Sequence, residues 1–352
     1  LAPLGLSVRE LTGDMNLTRA EAAATDIIVT TPEKWDVVTR KAGSELAAAV
    51  TLLIIDEIHL LHDDRGAVLE SLVARTLRAS AAAQRLIRLV GLSATLPNYR
   101  DVATFLRVKE DVGLFHFDAS YRPVPLSQTF IGVKAGGAGS GYAAAQKRNV
   151  AMTAICWDKV VDSLQRGHQA MVFVHSRKDT AATARYLREK ATAAGRLDAF
   201  IDAASSEVVA SEVENVATGA LADLLPSGIG VHHAGLPRAD RSLVEALFAG
   251  GHLRVLVCTA TLAWGVNLPA RTVVIKGTQV YDASKGGFVQ LGILDVAQIF
   301  GRAGRPQFDS HGEGIILTSH DQLAHYLRRS EEHTSELQSH SDLVCRLLLE
   351  KK

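Results

Sequence analysis

The chain reads Thr51-Leu52-Leu53-Ile54-Ile55-Asp56-Glu57-Ile58-His59 at the point that decides its fold. The apolar run is short enough for one strand and has no polar interruption, which predicts a strand buried on both faces of a parallel sheet. Asp56 and Glu57 then lie at the carboxyl end of that strand, where open α/β sheets bind their ligands. An acidic pair that only caps a core strand is the structural alternative.

Three further apolar runs end in turns that carry hydroxyl groups. They cover residues 86–90, 171–174 and 255–258, and the turns contain Ser93 and Thr95, Ser176, and Thr259. Short hydroxyl side chains and free backbone N–H groups at such turns suit phosphate oxygens. One such turn is as often a plain helix cap, but three strands that end in this way, together with the strand that ends in Asp56 and Glu57, predict an α/β protein with a ligand edge.

A basic string much further along the chain complements the acidic one. It reads Gln298-Ile299-Phe300-Gly301-Arg302-Ala303-Gly304-Arg305. Two arginines can neutralise the charge that builds on a transferred phosphoryl group, and a carboxylate pair can hold magnesium and polarise water. Together the strings predict an NTP-hydrolysing site in a nucleic-acid motor.

Longer strings around these positions resemble the Ski2-like group of superfamily 2 DExH helicases. They are residues 10–14, 31–36, 59–66, 92–99, 121–126, 232–235, 259–269 and 298–309. The resemblance covers residues 1–328 almost continuously and is strongest to the large two-cassette enzymes of the signal-cointegrator and spliceosomal U5 types. It implies two RecA-like (P-loop NTPase) domains with parallel sheets, and ATP and Mg²⁺ as cofactors.

The resemblance also implies a role for each matching residue. Asp56 corresponds to the residue that holds Mg²⁺ through water, and Glu57 to the one that deprotonates the attacking water. Arg302 and Arg305 correspond to arginine fingers. The other implied members are His59 and Gln298 in the catalytic set, Ser93 and Thr95 in coupling, and Gly265 and Asn267 in nucleotide binding.

Single-stranded RNA or DNA next to a duplex is the implied substrate. The resemblance lines its path with Thr12, Gly13, Asp14, Thr31, Pro32, Arg177, His233 and Thr259. Read without the resemblance, Thr31-Pro32-Glu33 is a helix start with Thr31 as N-cap, whose N–H groups can hold a phosphate or simply be capped. Phosphate contacts position a strand without reading its bases, so we expect little sequence specificity.

Two β-prone segments flank Ser284-Lys285-Gly286-Gly287 and predict a hairpin. In Ski2-like enzymes a hairpin at this place separates the strands of a duplex, which makes Tyr281 and Phe288 the candidate wedge. A hairpin without that task is the alternative.

The chain contains no Gly-x-x-x-x-Gly-Lys-Ser/Thr string. Its glycine cluster at residues 136–141 reads as a flexible insert, and the alanine-rich segment 136–210 is poorly informative. Because the family carries the phosphate-binding Walker A loop upstream of the Asp-Glu string, we expect residues 1–120 to be the C-terminal part of a first domain truncated at its N-terminus. Residues 121–328 form the second domain, after an extended connector at 120–125. Such a fragment should bind ATP weakly and be inactive alone.

The last residues, 329–352, are unlike the family. The stretch from Arg329 to Ser339 back-translates to a sequence beginning AGATCGGAAGAGC, which resembles a short-read sequencing adapter. We therefore expect this tail to be translated adapter sequence and not native protein. The alternative is an amphipathic helix, since Leu343, Val344, Leu347 and Leu348 fall at helical spacing.

Composition fits an intracellular α/β protein of the nucleus, the cytoplasm or both. The 352 residues are 47% apolar, with 38 basic and 38 acidic side chains. The balanced net charge gives no overall excess of positive charge of the kind that indicates a nucleic-acid-binding protein. The three cysteines, Cys156, Cys258 and Cys345, lack metal-ligand spacing and fit a reducing compartment. Apolar runs are of strand length, so we expect no membrane association.

Three functions fit these features. The first is an ATP-dependent 3′-to-5′ helicase of the cointegrator type that works in a multiprotein complex in ribosome quality control, repair or transcription. The second is a spliceosomal U5-type RNA helicase. The third is a non-hydrolysing cassette that serves as a protein-binding platform, against which the intact Asp56, Glu57, Arg302 and Arg305 argue.

Overall fold

A computed structural model divides the chain into two compact units, Leu1–His116 and Phe117–Lys352. The structure describes residues 2–12, 17–40, 45–62, 65–94, 96, 98–134, 142–260, 262, 266, 268–282, 285–306, 308–332 and 343–348. The boundary between the units lies just before the short 3-10 turn Ala119–Tyr121.

Unit 1 contains two pairs of parallel strands and six short to medium helices. The strands are β1 (Val8–Leu11) with β2 (Ile27–Thr30), and β3 (Leu52–Ile55) with β4 (Arg88–Gly91). The helices are α1 (Arg19–Ala23), α2 (Pro32–Arg40), α3 (Glu45–Ala49), α4 (Gly66–Ala82), α5 (Tyr99–Phe105) and α6 (Glu110–Gly113). Two 3-10 helices cover Ala2–Leu4 and Ile58–His62.

The core of unit 1 is small and covers only one face of the β3–β4 pair. Leu69 and Val73 of the amphipathic α4 pack with Ile55 and Ile58. The other face is open: Leu52 is 48% and Ile54 is 54% exposed. The prediction that this strand is buried on both faces is therefore wrong for this structure, because no described element covers the second face.

Unit 2 is built on a seven-stranded parallel sheet in the order β13-β5-β12-β9-β6-β8-β7. The strands are β5 (Leu126–Val133), β6 (Ala170–Val174), β7 (Ile229–His232), β8 (Val255–Thr259), β9 (Thr272–Lys276), β12 (Gly312–Ser319) and β13 (Leu343–Leu348). A separate antiparallel hairpin consists of β10 (Gln279–Asp282) and β11 (Gly287–Gln290). The α/β class and the hairpin predictions are confirmed.

Helices pack on this sheet to form a large apolar core. They are α7 (Tyr142–Gln165), α8 (Arg177–Ala193), α9 (Ala203–Val213), α10 (Gly219–Leu224), α11 (Arg238–Ala249), α12 (Ile293–Phe300) and α13 (His320–Glu332). Two 3-10 turns cover Leu197–Ala199 and Leu225–Ser227. Every residue of β6 is buried, as expected of a central parallel strand between helices. Helix α11 ends at a glycine pair, with Gly250 as its cap.

The C-terminal residues 343–348 form a strand beside β5 and not the helix considered as an alternative. That this tail is adapter sequence stays a prediction. None of the helices in the described ranges has the length and apolar character needed to cross a bilayer.

Candidate nucleotide and nucleic-acid site

Asp56 and Glu57 form an exposed acidic corner directly after β3. The backbone N–H of Glu57 donates to Oδ1 of Asp56 at 2.9 Å. Glu57 has a φ of 52°, a left-handed conformation that non-glycine residues rarely adopt. Such strain persists only where the surroundings enforce it and tends to cluster at functional sites. The turn thus aims two carboxylates outward from the end of one strand.

A buried histidine holds the second carboxylate. Nδ1 of His59 lies 3.2 Å from Oε2 of Glu57 and 3.3 Å from Oγ of Ser93. The His59 side chain is 3% exposed, whereas that of Glu57 is 49% exposed. The structure therefore brings three of the predicted residues together, with the polar end of Glu57 still open to solvent.

Thr12 and Thr31 lie at one edge of the β1–β2 pair. The two strands are in register at Leu11 and Thr30, so the residues that follow them are neighbours. Oγ1 of Thr31 accepts from the backbone N–H of Lys34 at 3.3 Å, and Pro32 opens α2. The predicted helix start is confirmed, and its cap already engages one of the free N–H groups that a phosphate could use.

The predicted strand-binding residues of unit 2 gather at the carboxyl ends of β6, β7 and β8, which are adjacent in the sheet. Arg177 opens α8, His233 follows β7, and Thr259 is the last residue of β8. A Cβ at Gly235 would lie 2.8 Å from Nη1 of Arg177, so this glycine leaves room for the arginine. Burial, then the nearby Arg177 charge, lower the pKa of His233 below its usual value.

The two arginines lie on the segment 301–306, which we call the arginine loop. This loop is at the end of the same sheet that is opposite to those carboxyl ends. Its backbone is tied to Ala270, two residues before β9. Ala270 donates to the carbonyl of Arg302 at 2.9 Å, and Gly304 donates to that of Ala270 at 2.7 Å. Gln298 lies on α12, which leads into the loop. The side chain of Arg305 is bonded to Asp309 and Gln169 and lies over the ring of Phe308.

The start of unit 2 is fastened to the arginine loop. Arg122 donates through Nε to the carbonyl of Val124 at 2.8 Å, and through Nη2 to those of Phe300 at 3.2 Å and Ala303 at 2.9 Å. Burial lowers the pKa of Arg122. Gly304 has a φ of 91°, and a Cβ there would meet Val124 at 2.6 Å. Only glycine satisfies both the backbone and this close approach.

The hairpin pairs its two candidate wedge residues directly. Tyr281 and Phe288 are opposite in register, with ring centroids 5.5 Å apart in an edge-on arrangement. Both are exposed, at 58% and 73%. The base is anchored in the core, where Oγ1 of Thr278 donates to Oε1 of Gln290 at 2.9 Å and Tyr326 donates to the carbonyl of Leu291 at 3.0 Å.

Some predicted residues lie outside the described part of the chain. These are Gly13, Asp14, Thr95, Gly265 and Asn267. Conversely, the structure draws in three residues that sequence reasoning missed, namely Arg122, Gln169 and Asp309. Asp309 is close enough to Arg305 in sequence for an i, i+4 pair to be suspected. No local signal identifies Gln169 or Arg122, which meet the arginine loop from far away in the chain.

The acidic corner fits a magnesium ion held mainly by other ligands. No group of three or more His, Cys, Asp or Glu side chains within the described ranges could cage a metal by itself. Mg²⁺ in phosphoryl-transfer sites is usually held through one or two carboxylates, waters and phosphate oxygens. Two exposed adjacent carboxylates are the donor set that such a site requires.

A parallel-sheet protein with this acidic corner and this arginine loop has the parts of a phosphoryl-transfer motor, and family comparison identifies the class. The DEAD/DEAH box helicase family matches residues 2–102, and the helicase conserved C-terminal domain matches residues 152–307. The chain belongs to the DEAD/DEAH box helicases.

Individual relatives are similar over most of the chain. It is 57% identical over 350 residues to the DExH-box ATP-dependent RNA helicase DExH14 of Arabidopsis thaliana, covering 99% of this chain and 16% of that protein. It is 57% identical over 331 residues to the activating signal cointegrator 1 complex subunit 3 of Gallus gallus, covering 93% and 15%. It is 56% identical over 330 residues to the U5 small nuclear ribonucleoprotein 200 kDa helicase of Drosophila melanogaster, also covering 93% and 15%. The chain thus spans 15% to 16% of the length of these relatives.

Proposed function

We propose that the protein is an ATP-dependent DExH helicase that moves 3′-to-5′ along one strand of RNA or DNA and unwinds the duplex ahead of it. The main support for this proposal is the acidic corner. There, a strained backbone at Glu57 and a contact with the buried His59 hold the Glu57 carboxylate beside Asp56. A protein-binding platform has no use for a strained, solvent-facing carboxylate pair, which is why we prefer an active enzyme.

Each residue then has a defined task. Asp56 would hold Mg²⁺, which would supply positive charge to neutralise the phosphates of ATP. Glu57 takes the proton of the attacking water, and His59 keeps its carboxylate in place. Arg302 and Arg305 neutralise the charge that grows on the transferred phosphoryl group. Ser93, Thr95 and Gln298 couple the state of the nucleotide to movement, and Gly265 and Asn267 contact the nucleotide.

The nucleic-acid strand is held by groups that read phosphate. Thr12, Gly13, Asp14, Thr31 and Pro32 contribute from unit 1. Unit 2 contributes Arg177, His233 and Thr259, which lie at the end of its sheet away from the arginine loop. Because most of these groups are hydroxyl, backbone or cationic groups, affinity should vary little with base sequence and fall with added salt.

The hairpin is the strand separator in this proposal. Replacing both exposed rings, as in Tyr281→Ser with Phe288→Ser, should leave nucleic-acid-stimulated ATP hydrolysis within about twofold of the wild type. Duplex unwinding should fall by at least about 30-fold, since each of the two lost base–aromatic contacts costs roughly 1–3 kcal/mol. Unwinding that is as fast as in the unchanged protein would assign the hairpin a purely structural role.

The proposed substrate and partners are supported by what the relatives are. One relative is an RNA helicase, one a subunit of a cointegrator complex and one a component of a small nuclear ribonucleoprotein. We infer a multiprotein complex in the nucleus, the cytoplasm or both. The cointegrator type, with work in ribosome quality control, repair or transcription, is the first candidate. The U5 type is the second, because its similarity to the chain is nearly as high.

The decisive test is Glu57→Gln in the protein expressed from its complete coding sequence. Gln keeps the shape but cannot accept the proton, so ATP turnover should fall by at least about 10³-fold while ATP still binds. The matched control is Glu70→Gln on the exposed side of α4, which should change neither quantity. Undiminished turnover in Glu57→Gln would overturn the role assigned to Glu57, whereas a wild-type protein without ATP turnover would favour the platform.

A further inference from the structure

We propose that Asp309 and Gln169 are positioning residues that hold the guanidinium group of Arg305 ready for phosphoryl transfer. The inference rests on the proposed function and deepens it. It concerns how one arginine of the site is oriented before any nucleotide arrives.

The bonds to Arg305 fix its side chain at three points. Nε donates to Oδ2 of Asp309 at 2.9 Å, and Nη2 donates to Oδ1 at 3.1 Å. Nη1 donates to Oε1 of Gln169 at 2.8 Å. A two-pronged carboxylate contact sets the plane of a guanidinium group, and the third bond on another nitrogen removes rotation about the remaining axis.

Asp309 is committed to this task. Its side chain is 1% exposed, and Oδ2 also accepts from the backbone N–H of Arg305 at 2.8 Å. Burial alone would raise its pKa, but the bonds from Arg305 and the nearby Arg271 hold the pKa below its usual value. The carboxylate therefore stays charged at neutral pH and keeps both oxygens engaged.

Gln169 connects Arg305 to the rigid centre of unit 2. It directly precedes β6, whose first residue, Ala170, is fully buried. Its Nε2 donates to the carbonyls of Phe248 at 2.8 Å and Leu253 at 2.7 Å, at the end of α11 and the approach to β8. Both ends of the amide are used, so its orientation is fixed by the scaffold. An arginine held by such a group cannot drift with its own loop.

The arrangement suits orientation better than stability. Desolvating a charged pair offsets much of what the pair gains, so an apolar substitute would stabilise the fold about as well. Within the described residues, the bonds engage three of the five N–H donors of the guanidinium group. One N–H on each terminal nitrogen remains for phosphate oxygens. Phe308, whose ring centroid is 5.3 Å from Cζ, covers one face of the group. Charge held in place before the reaction is the most effective form of transition-state stabilisation.

The test compares two variants in the protein expressed from its complete coding sequence, with single-stranded RNA of mixed sequence as activator. Asp309→Asn removes the charge, and Gln169→Leu removes the third bond at similar volume. Both should lower kcat for ATP by about 10- to 100-fold and change KM by less than about threefold. Affinity for ADP with aluminium fluoride, which mimics the transition state, should fall by the same factor as kcat, while affinity for ADP alone stays the same.

The control is Asp240→Asn, which alters a buried carboxylate of the same unit. Asp240 accepts from the backbone N–H groups of Ala217 and Thr218, away from the arginine loop. It should lower thermal stability and leave kcat unchanged. Equal losses of kcat in Asp240→Asn and Asp309→Asn would reduce the effect to general destabilisation and overturn the inference.

A double-variant cycle identifies the route of the effect. If Asp309 acts through Arg305, adding Asp309→Asn to Arg305→Ala should cause no further loss of kcat. A further loss, or a wild-type kcat in the single Asp309→Asn variant, would overturn the positioning role while leaving the proposed function intact. A wild-type protein that does not hydrolyse ATP would instead overturn the proposed function itself.

Discussion

The acidic corner of unit 1 and the arginine loop of unit 2 hold their key side chains in opposite ways. Glu57 is placed by its backbone, with a φ of 52° and a side chain 49% exposed. Arg305 is placed by its side chain, through three bonds to Asp309 and Gln169, and is 24% exposed. One group is aimed by the turn that carries it and the other by what surrounds it.

The difference matches what each group must do. A general base has to gain and lose a proton, and bonds to many charged partners would fix its protonation state. Placement through the backbone leaves its carboxylate open to water. An arginine remains charged throughout the cycle, so strong side-chain bonds cost it no chemical freedom. The two sites should accordingly respond differently to loss of a neighbour.

The largest expected effect beyond those already described comes from His59→Ala. If the backbone does most of the positioning of Glu57, loss of the 3.2 Å contact to His59 should lower kcat by about tenfold, equivalent to roughly 1.4 kcal/mol. This is less than the loss expected for Glu57→Gln. The measurement is nucleic-acid-stimulated ATP turnover, with His116→Ala as control because His116 is exposed and contacts only a ring in the described structure. A loss as large as that of Glu57→Gln would mean that the contact with His59, and not the backbone, does most of the positioning of Glu57.

A smaller effect should distinguish two groups of unit 2, His175 and Asp309, by the pH at which each affects stability. His175 has a pKa lowered from 6.5, chiefly by burial and against a bond to the carbonyl of Gly277. Below about 6.5 the unfolded chain binds a proton that the folded chain excludes, so the free energy of unfolding should fall as pH falls. Asp309 has a pKa lowered from 3.8; its contribution is present above that value and is lost only as pH falls through the lowered pKa.

Urea unfolding from pH 7.5 to pH 5.5 tests this difference. His175→Gln, which retains an N–H donor for Gly277, should show a shallower fall in unfolding free energy than the wild type. Asp309→Asn should show the same slope as the wild type, displaced to lower stability. If Asp309→Asn changed the slope of the unfolding free energy against pH in this range, Asp309 could not be fully charged there.

The elements that sequence reasoning found are those with a strong local pattern. The central strands β6 and β8 are unbroken apolar runs, and the hairpin has a glycine turn. Helix α7 was missed among alanines, although Met152, Cys156 and Val160 recur at helical spacing and are buried. Strand β12 was missed because its glycines weaken the pattern; at Gly314 a Cβ would meet Phe300 at 2.8 Å.

The predicted site was incomplete for a different reason. Adjacent motif residues such as Asp56, Glu57 and His59 can be found together because the chain keeps them together. Gln169 lies 136 residues from Arg305, and Arg122 lies 181 from Ala303, so only the folded sheet brings them to the arginine loop. The backbone strain at Glu57 is also invisible in sequence, because a glutamate carries no propensity for that conformation.

The bonds of Arg122 have a mechanical consequence. Arg122 donates to the carbonyls of Phe300 and Ala303, and Val124 fills the space beside Gly304. The segment that begins at Arg122 is therefore held rigidly against the arginine loop. Loss of the Arg122 side chain should therefore loosen the backbone on both sides of Arg302, although residue 122 lies far from the arginines in sequence.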